Sequence, residues 1–329
     1  MTVRVRSFAK INLGLRIGPA RPDGFHELLT VYQTIALHDL LRVSVERGSG
    51  IEIRCSDPRV PKDESNTCFR MVERAMQSFQ TRGRVVIDIE KRLPVQGGLG
   101  GASANAVAAL TGLERVLRKS LPSAEKVRIA AEVGSDLPLF LVGGMVLGLG
   151  RGEQVFPLPD LPPLACVVVT PEQGVSTPKA FADWDRLFGE GAPAGDLRGM
   201  SPKLTLSDPS DRMNELSREL SAWLSQLYSG APLRGRAENP LLVLVRAGIE
   251  NDFEKVVFPE YPELCEGKKA LVRAGAKYAS LSGSGSTLYG LFASGEAAAK
   301  ACAKLRKQGW MAKATSTVSR RQYWSRVFN

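Results

Sequence analysis

Residues 94–109 read Pro-Val-Gln-Gly-Gly-Leu-Gly-Gly-Ala-Ser-Ala-Asn-Ala-Val-Ala-Ala, in which four glycines lead into an alanine-rich segment. Upstream, Val85 to Ile89 is rich in β-branched residues and predicts a strand, whereas apolar residues recur at helical spacing after Ala102. The stretch therefore predicts a strand, a glycine-rich loop and a helix that begins near Ala102. The N–H groups of such a loop and of the first helical turn point toward a common anion, and phosphate is the usual one.

The glycine count alone leaves two explanations of this loop open. The loop lacks the Gly-Lys-Ser/Thr ending of a Walker A loop, and its glycines do not follow the dinucleotide fingerprint. A tight strand-to-helix connection, in which glycine only relieves crowding, would have the same composition. A phosphate site and a purely structural turn are both compatible with the glycines.

Composition narrows the class of protein. The chain has 329 residues, of which 43% are hydrophobic, enough for one large domain or two ordinary ones. Its formal charge of +10 favours an anionic partner but does not choose between nucleic acid and phosphorylated small molecules. Five isolated cysteines and two histidines argue against a disulfide framework and a histidine-rich metal centre. Without a signal-peptide core or a bilayer-length apolar run, we expect a soluble cytoplasmic protein with no membrane partner.

The segment from Phe8 to Ile17 alternates in character along its length. Ile11 and its apolar neighbours share one face, and Lys10 and Asn12 share the other, which predicts a half-buried strand. A solvated lysine on an outer face would give the same pattern.

Two other short stretches carry side chains suited to chemistry. A turn signal at 21–24 precedes Phe25 and His26. The Phe25 ring can stack on a flat ligand, and the neighbouring His26 imidazole can form hydrogen bonds with it. Asp136 directly precedes an apolar run. Taken alone, Phe25 and His26 favour a loop aromatic tucked into the core beside a solvated histidine, and Asp136 favours an Asx turn or a helix cap.

The remaining pattern mixes helices and strands. Three strands are predicted between residues 30 and 55, and Ser65 is predicted to cap the helix that follows. Prolines at 158–164 indicate a boundary, and the composition of 189–211 predicts an exposed insertion. The tail from Ser316 is compatible with a solvated end, a packing arm or a membrane-surface helix.

The glycine loop resembles the nucleotide loop of the GHMP kinases, small-molecule kinases named after galactokinase, homoserine, mevalonate and phosphomevalonate kinases. The shared pattern is Pro-x-x-x-Gly-Leu-Gly-Gly-x-Ser-x-Asn-Ala, and Ala102 and Ala104 stand where the family commonly has glycine and serine. The order of other blocks is also similar to the family: Ala-Lys-Ile-Asn-Leu at 9–13, Arg-Pro-Asp-Gly-Phe-His at 21–26, Gly-Ser-Asp-Leu-Pro at 134–138 and Leu-Ser-Gly-Ser-Gly at 281–285.

This resemblance implies an α+β fold of two GHMP kinase domains with the active site in the cleft between them. An N-terminal, ribosomal-protein-like, ATP-binding domain is expected at residues 1–162. A C-terminal GHMP kinase domain is expected at residues 163–329, with the exposed insertion near 189–211. The implied assembly is a monomer or a weak homodimer.

The resemblance also implies a reaction, in which ATP gives its γ-phosphoryl group to an alcohol. The Asp-Gly-Phe-His block resembles the corresponding block of family members that act on CDP-linked methylerythritol. The implied acceptor is therefore the 2-hydroxyl of that compound, on the non-mevalonate route to isoprenoid precursors. ATP and Mg²⁺ are the implied cofactors, with no metal ligand identified and no nucleic-acid partner expected. The alternatives are a GHMP kinase for another small alcohol and a non-catalytic, basic, RNA-binding paralogue.

Residue roles follow from the resemblance at matching positions. Asp136 is the implied acceptor of the hydroxyl proton, and Lys10 is implied to lie beside it and stabilise charge on the transferring group. The implied substrate-binding residues are Asn12, Phe25, His26, Thr177 and Phe181. The implied ATP-binding residues are Asn66, Lys91, Pro94, Gly97, Gly98, Leu99, Gly100, Gly101, Ala102 and Ser103.

Overall fold

The strands of the chain fall into two sheets, as a computed structural model shows for residues 1–171, 173–189, 209–229, 239–246 and 249–328. The strands are β1 (Thr2–Ala20), β2 (His26–Glu46), β3 (Gly50–Cys55), β4 (Arg84–Glu90), β5 (Met145–Leu149), β6 (Gln154–Pro157), β7 (Ala165–Val169), β8 (Tyr278–Leu281), β9 (Leu288–Phe292) and β10 (Ala312–Ser316).

Helices cover the faces of both sheets, so the α+β class is confirmed. The helices are α1 (Thr67–Ser78), α2 (Gly101–Leu117), α3 (Ser123–Val133), α4 (Leu137–Val142), α5 (Thr177–Phe188), α6 (Pro209–Ser229), α7 (Pro240–Arg246), α8 (Glu254–Glu260), α9 (Pro262–Arg273), α10 (Gly295–Lys307) and α11 (Arg320–Arg326). None of the described helices is long and apolar enough to cross a bilayer.

The first sheet is built around β2, whose two edges have different neighbours. Strand β1 pairs antiparallel along one edge, while β5 pairs with residues 30–33 and β4 with residues 40–46 of the other. The sequence predicted two separate strands here, and that prediction was wrong. The neighbour changes between the two segments, but β2 remains one strand because β1 continues to pair with it.

Strand β1 is buried on both faces, so the half-buried strand predicted from alternation was wrong. Ile11 lies in a core that also contains Val168 and Leu291 of the second sheet. On the opposite face Lys10 and Asn12 are only 4% and 1% exposed, because the glycine loop and the second half of the chain cover them. This double burial places polar side chains where the two halves meet.

Helix α1 is capped by Asn66 and not by Ser65, so the predicted cap was wrong by one residue. The Asn66 carboxamide oxygen accepts the Cys68 N–H at 2.8 Å, whereas the Ser65 hydroxyl donates to Asp63 at 2.6 Å. Helix α2 begins at Gly101, as its sequence pattern predicted to within one residue.

The second sheet has the order β10-β7-β9-β8 and is reached after residue 157. The proposed domain boundary at residue 162 stays a prediction, and helix α11 returns to the first core through Tyr323 and Val327. The packing-arm interpretation of the tail is therefore confirmed. Most of the predicted insertion, residues 190–208, lies outside the described residues, and helix α6 begins at Pro209.

Candidate active site

Lys10 and Asp136, which lie far apart in the sequence, form an ion pair in the cleft. Lys10 projects from β1 and Asp136 immediately precedes α4; the Lys10 Nζ lies 3.2 Å from the Asp136 Oδ2. Lys10 also donates to the Asn12 Oδ1 at 2.7 Å, and the Asn12 Nδ2 donates to the Thr30 hydroxyl at 2.8 Å. Since the Lys10 side chain is 5% exposed and that of Asp136 is 32% exposed, the carboxylate is the more accessible member. This arrangement can take a proton from a ligand and stabilise negative charge on it.

The glycine loop approaches Lys10 closely because two of its glycines adopt left-handed backbone conformations. Gly98 has φ +79 and Gly100 has φ +67, a region in which other residues are strained. A Cβ at Gly98 would overlap the Ser282 carbonyl oxygen, and one at Gly100 would lie 3.0 Å from the Lys10 Cγ. The Lys10 N–H donates to the Leu99 carbonyl at 3.0 Å. The loop is thus fitted between β1 and the β8–β9 turn.

The β8–β9 turn, which contains the Ser-Gly-Ser-Gly run at 282–285, holds the glycine loop from the other side. The Ser282 hydroxyl donates to the Gly98 carbonyl at 3.0 Å, and the Thr287 N–H donates to the Gly97 carbonyl at 3.1 Å. The Thr177 hydroxyl, at the start of α5, lies 2.7 Å from the Ser284 hydroxyl. Thr177 therefore reaches the site through this turn.

A cavity of about 340 Å³ opens over the glycine loop and the N-terminus of α2. It combines an apolar wall from Val60 and Ile89 with backbone N–H groups at the helix N-terminus, which suits a purine attached to phosphates. Its lining includes all the predicted ATP-binding residues: Asn66, Lys91, Pro94, Gly97, Gly98, Leu99, Gly100, Gly101, Ala102 and Ser103.

Asp39, a residue that the sequence pattern did not single out, fixes the end of β4 where the loop begins. Its carboxylate is fully buried and lies 2.5 Å from the Lys91 Nζ. It also accepts the N–H groups of Arg92 and Leu93, both at 2.7 Å. A Cβ at Gly101 would lie 3.1 Å from the Lys91 Nζ. Asp39 thus holds the Lys91 ammonium beside the glycine loop.

We expect Asp39→Asn to lower the free energy of unfolding by about 3 kcal/mol, because the buried Lys91 ammonium would lose its counter-charge. Urea denaturation of the substituted and unsubstituted proteins measures the difference. Glu266→Gln is the matched control, since Glu266 pairs with Lys269 at 2.8 Å with both side chains more than half exposed. Equal effects of the two substitutions would contradict a special role for the buried pair.

His26 and Phe181 were predicted separately as substrate-binding residues, and in the structure they lie against each other. Their rings stack with centroids 5.2 Å apart and an angle of 13° between planes. The His26 Nε2 lies 2.7 Å from the Asp185 Oδ1. Phe25 is 49% exposed and contacts Arg151, whose guanidinium carbon is 4.8 Å from the ring centroid. The assignment of Phe25 and Phe181 to the substrate stays a prediction, and His26 occupies one face of the Phe181 ring in this structure.

Comparison with known proteins gives the same family that the loop resembles. Residues 66–144 match the model of the GHMP kinases N terminal domain, and residues 238–309 match that of the GHMP kinases C terminal. The chain is 38% identical over 288 residues to 4-diphosphocytidyl-2-C-methyl-D-erythritol kinase of Solibacter usitatus (strain Ellin6076), covering 88% of this chain and 80% of that protein. It belongs to the 4-diphosphocytidyl-2-C-methyl-D-erythritol kinase family.

Other members and relatives of this kinase family agree with the assignment. The protein of the same name from Acaryochloris marina (strain MBIC 11017) is 37% identical over 284 residues, covering 86% of this chain and 84% of that protein. A crystal structure of 4-(cytidine 5'-diphospho)-2C-methyl-D-erythritol kinase superposes with a TM-score of 0.70 at 28% identity, covering 95% and 98% of the two chains. Homoserine kinase from Cytophaga hutchinsonii, at 20% identity and a TM-score of 0.66, covers 97% of this chain and 95% of its own and shares the fold.

Three side chains that the structure places in or beside the site were not indicated by the family motifs in the sequence. Tyr32 donates its hydroxyl to the Asp136 Oδ1 at 3.1 Å, and Asp39 and Asp185 hold Lys91 and His26 as described above. A strand register would have found Tyr32, since it is the cross-strand partner of Asn12. No comparable local signal marks Asp39 or Asp185, whose partners are distant in the sequence.

Proposed function

We propose that this chain transfers the γ-phosphoryl group of ATP to the 2-hydroxyl of 4-diphosphocytidyl-2-C-methyl-D-erythritol, a step toward isoprenoid precursors. The observation that carries the proposal is the Lys10–Asp136 pair, 3.2 Å apart. The pair lies next to a glycine loop that lines a nucleotide-sized cavity. Membership of the family supports the choice of acceptor.

In this reaction the acceptor hydroxyl donates its proton to the Asp136 carboxylate as its oxygen bonds to the γ-phosphorus of ATP. The bond between that phosphorus and the β–γ bridging oxygen breaks, and ADP leaves with the electron pair. The Lys10 ammonium stabilises the charge spread over the transferring group. Asn12 fixes the direction of the ammonium, because its carboxamide oxygen accepts one Lys10 proton and its amide is anchored on Thr30.

Mg²⁺ is the expected companion of ATP, and when bound it would neutralise phosphate charge. Magnesium in nucleotide sites takes few protein ligands, because phosphate oxygens and water supply most of its coordination. Ser103 lines the cavity at the first turn of α2, and its hydroxyl is an oxygen donor of the kind that magnesium prefers. Within the described ranges no group of three His, Cys, Asp or Glu side chains could hold a metal.

The cytidine end of the acceptor is assigned to His26, Phe25 and Phe181. A neutral imidazole that donates its Nε2 proton to Asp185 leaves Nδ1 as a hydrogen-bond acceptor. The cytosine edge offers a 4-amino donor, whereas uracil has a carbonyl oxygen at the same position. In that tautomer the imidazole, whose Nε2 lies 2.7 Å from the Asp185 Oδ1, would suit cytosine. Stacking on Phe181 would require the His26 ring to leave the face that it now covers.

We expect Asp185→Ala to reduce the preference for the cytidine over the uridine form of the acceptor by about tenfold, the worth of one hydrogen bond to a base edge. The measurement is the ratio of kcat/KM for the two nucleotide forms. Asp183→Ala is the matched control, since Asp183 lies on the same helix and pairs with Lys179 at 2.9 Å. An unchanged ratio in Asp185→Ala would remove Asp185 from base selection.

The proposed function is tested by following ADP formation and the phosphorylated product by mass spectrometry, with ATP and each acceptor in turn. We expect turnover with diphosphocytidyl-methylerythritol and a loss of turnover when the cytidine group is absent. Turnover with a cytidine-free alcohol would instead indicate a GHMP kinase for another substrate. A folded, ATP-binding protein that phosphorylates neither would contradict the assigned reaction. The cytoplasmic location and the monomer or weak homodimer stay predictions.

A further inference from the structure

Tyr32 is a buried polar residue at the catalytic pair with no role in the mechanism above. It lies on β2 opposite Asn12 of β1 and is 2% exposed. Its hydroxyl donates to the Asp136 Oδ1 at 3.1 Å, and the Lys10 Nζ lies 5.4 Å from its ring centroid. One side chain therefore contacts both members of the pair, the carboxylate through its hydroxyl and the ammonium through its ring.

The surroundings of Tyr32 fix its ring and hydroxyl in place. A Cβ at Gly148 would lie 2.5 Å from the Tyr32 Cε2, and one at Gly152 would overlap the Tyr32 hydroxyl. Gly148 in β5 and Gly152 just after it thus leave the space that the Tyr32 ring and hydroxyl occupy. Burial, followed by the charge of Asp136, raises the pKa of Tyr32 well above its ordinary value, so the hydroxyl keeps the proton that it donates.

We propose that Tyr32 is a positioning residue that orients the Asp136 carboxylate toward the acceptor hydroxyl; this inference rests on the proposed phosphoryl transfer. The Asp136 Oδ2 faces Lys10 at 3.2 Å while the Oδ1 is held by Tyr32 at 3.1 Å. Two contacts on two oxygens fix the plane of the carboxylate, which one contact alone would leave able to rotate. The remaining lone pairs then face the cleft, where Asp136 is partly exposed.

A carboxylate held in one plane favours the acceptor hydroxyl over water. Rotation about the Cβ–Cγ bond would bring the carboxylate out of line with the bound alcohol and let it accept a proton from a water molecule instead. Loss of the Tyr32 hydroxyl is therefore expected to slow transfer and to increase the share of ATP that is hydrolysed. It would not change the cavity that binds ATP, since Tyr32 does not line that cavity.

The test is Tyr32→Phe, which keeps the ring between the two glycines and removes the hydroxyl alone. We expect kcat to fall about fivefold, a part of what one hydrogen bond to a charged group contributes, with the KM for ATP within about twofold of the original. The ratio of ADP formed to phosphorylated acceptor should rise. Tyr323→Phe is the matched control, because its buried hydroxyl also donates one hydrogen bond, to the Phe140 backbone carbonyl at 2.8 Å and not to the Asp136 carboxylate.

Each outcome decides the role of Tyr32 separately from the assigned substrate. A Tyr32→Phe protein with unchanged kcat and unchanged coupling, or one that loses only affinity for the acceptor, would overturn the proposal. If the unsubstituted protein leaves the CDP-linked acceptor untouched, the proposed function fails, and acceptor-free ATP hydrolysis in the same variants still tests Tyr32. In that assay the ATP hydrolysis rates of Tyr32→Phe and Tyr323→Phe should differ by at least about twofold. Equal rates would overturn the positioning role.

Discussion

Asp136→Asn is expected to lower kcat by about a thousandfold, the usual size of a lost general base. The carboxamide has nearly the same shape but cannot take the proton that the acceptor hydroxyl must lose as its oxygen attacks phosphorus. ATP binding should persist, because the loop and cavity do not include this side chain. Single-turnover measurements with saturating ATP and acceptor would separate the slow transfer step from binding.

Asp160→Asn is the control for this substitution, since Asp160 also belongs to a partly exposed ion pair, 3.7 Å from Arg320 with its side chain 34% exposed. We expect that variant to keep its rate within about twofold, because Asp160 contacts Arg320 and the Arg321 N–H and not the catalytic pair. An Asp136→Asn protein that retained more than about a tenth of the original kcat would rule out proton acceptance by Asp136 but would leave phosphoryl transfer itself standing.

Gly98→Ala is expected to weaken ATP binding by about a hundredfold, the worth of one or two hydrogen bonds to a charged phosphate. The new methyl group would overlap the Ser282 carbonyl oxygen and lie 3.2 Å from the Gly285 Cα. The loop would have to move away from the β8–β9 turn, and its N–H groups would no longer converge. Calorimetric titration with a non-hydrolysable ATP analogue would measure the loss.

Gly309→Ala separates this steric effect from backbone strain. Gly309 has φ +88, close to that of Gly98, but a Cβ there would meet no atom within 4 Å. Both substitutions carry the left-handed penalty of about 1 kcal/mol, so both should lower the melting temperature, and only Gly98→Ala should weaken nucleotide binding. Equal affinities for the analogue would contradict the close fit between the two loops.

Local patterns were sufficient to predict the glycine-rich loop and the secondary structure around it. A strand, glycines and a helix start are neighbours in the chain, so composition and periodicity indicate them directly, and α2 began within one residue of its predicted position. The cap at Asn66 shows the limit of such patterns, because Ser65 and Asn66 are both good capping residues and only the reach to the Cys68 N–H distinguishes them.

Contacts between distant segments required either a resemblance or the structure. Lys10 and Asp136 were paired because their blocks occur in the family, since no periodicity connects β1 with the start of α4. Burial on both faces of β1 could not follow from alternation, because the covering elements come later in the chain. Tyr32 and Asp39 looked like ordinary strand residues, and their roles depend on pairing with segments outside the strand.

The return of α11 to the first sheet has a consequence for synthesis of the chain. Tyr323 and Val327 are only 5% and 3% exposed and pack in the same core as residues of β1 and β2. The Tyr323 hydroxyl donates to the Phe140 carbonyl, and the Trp324 indole donates to the Val142 carbonyl at 3.0 Å. A nascent chain that contains only the first sheet and its helices therefore exposes an apolar surface that α11 does not yet cover. That part of the molecule completes its folding only after α11 has emerged from the exit tunnel.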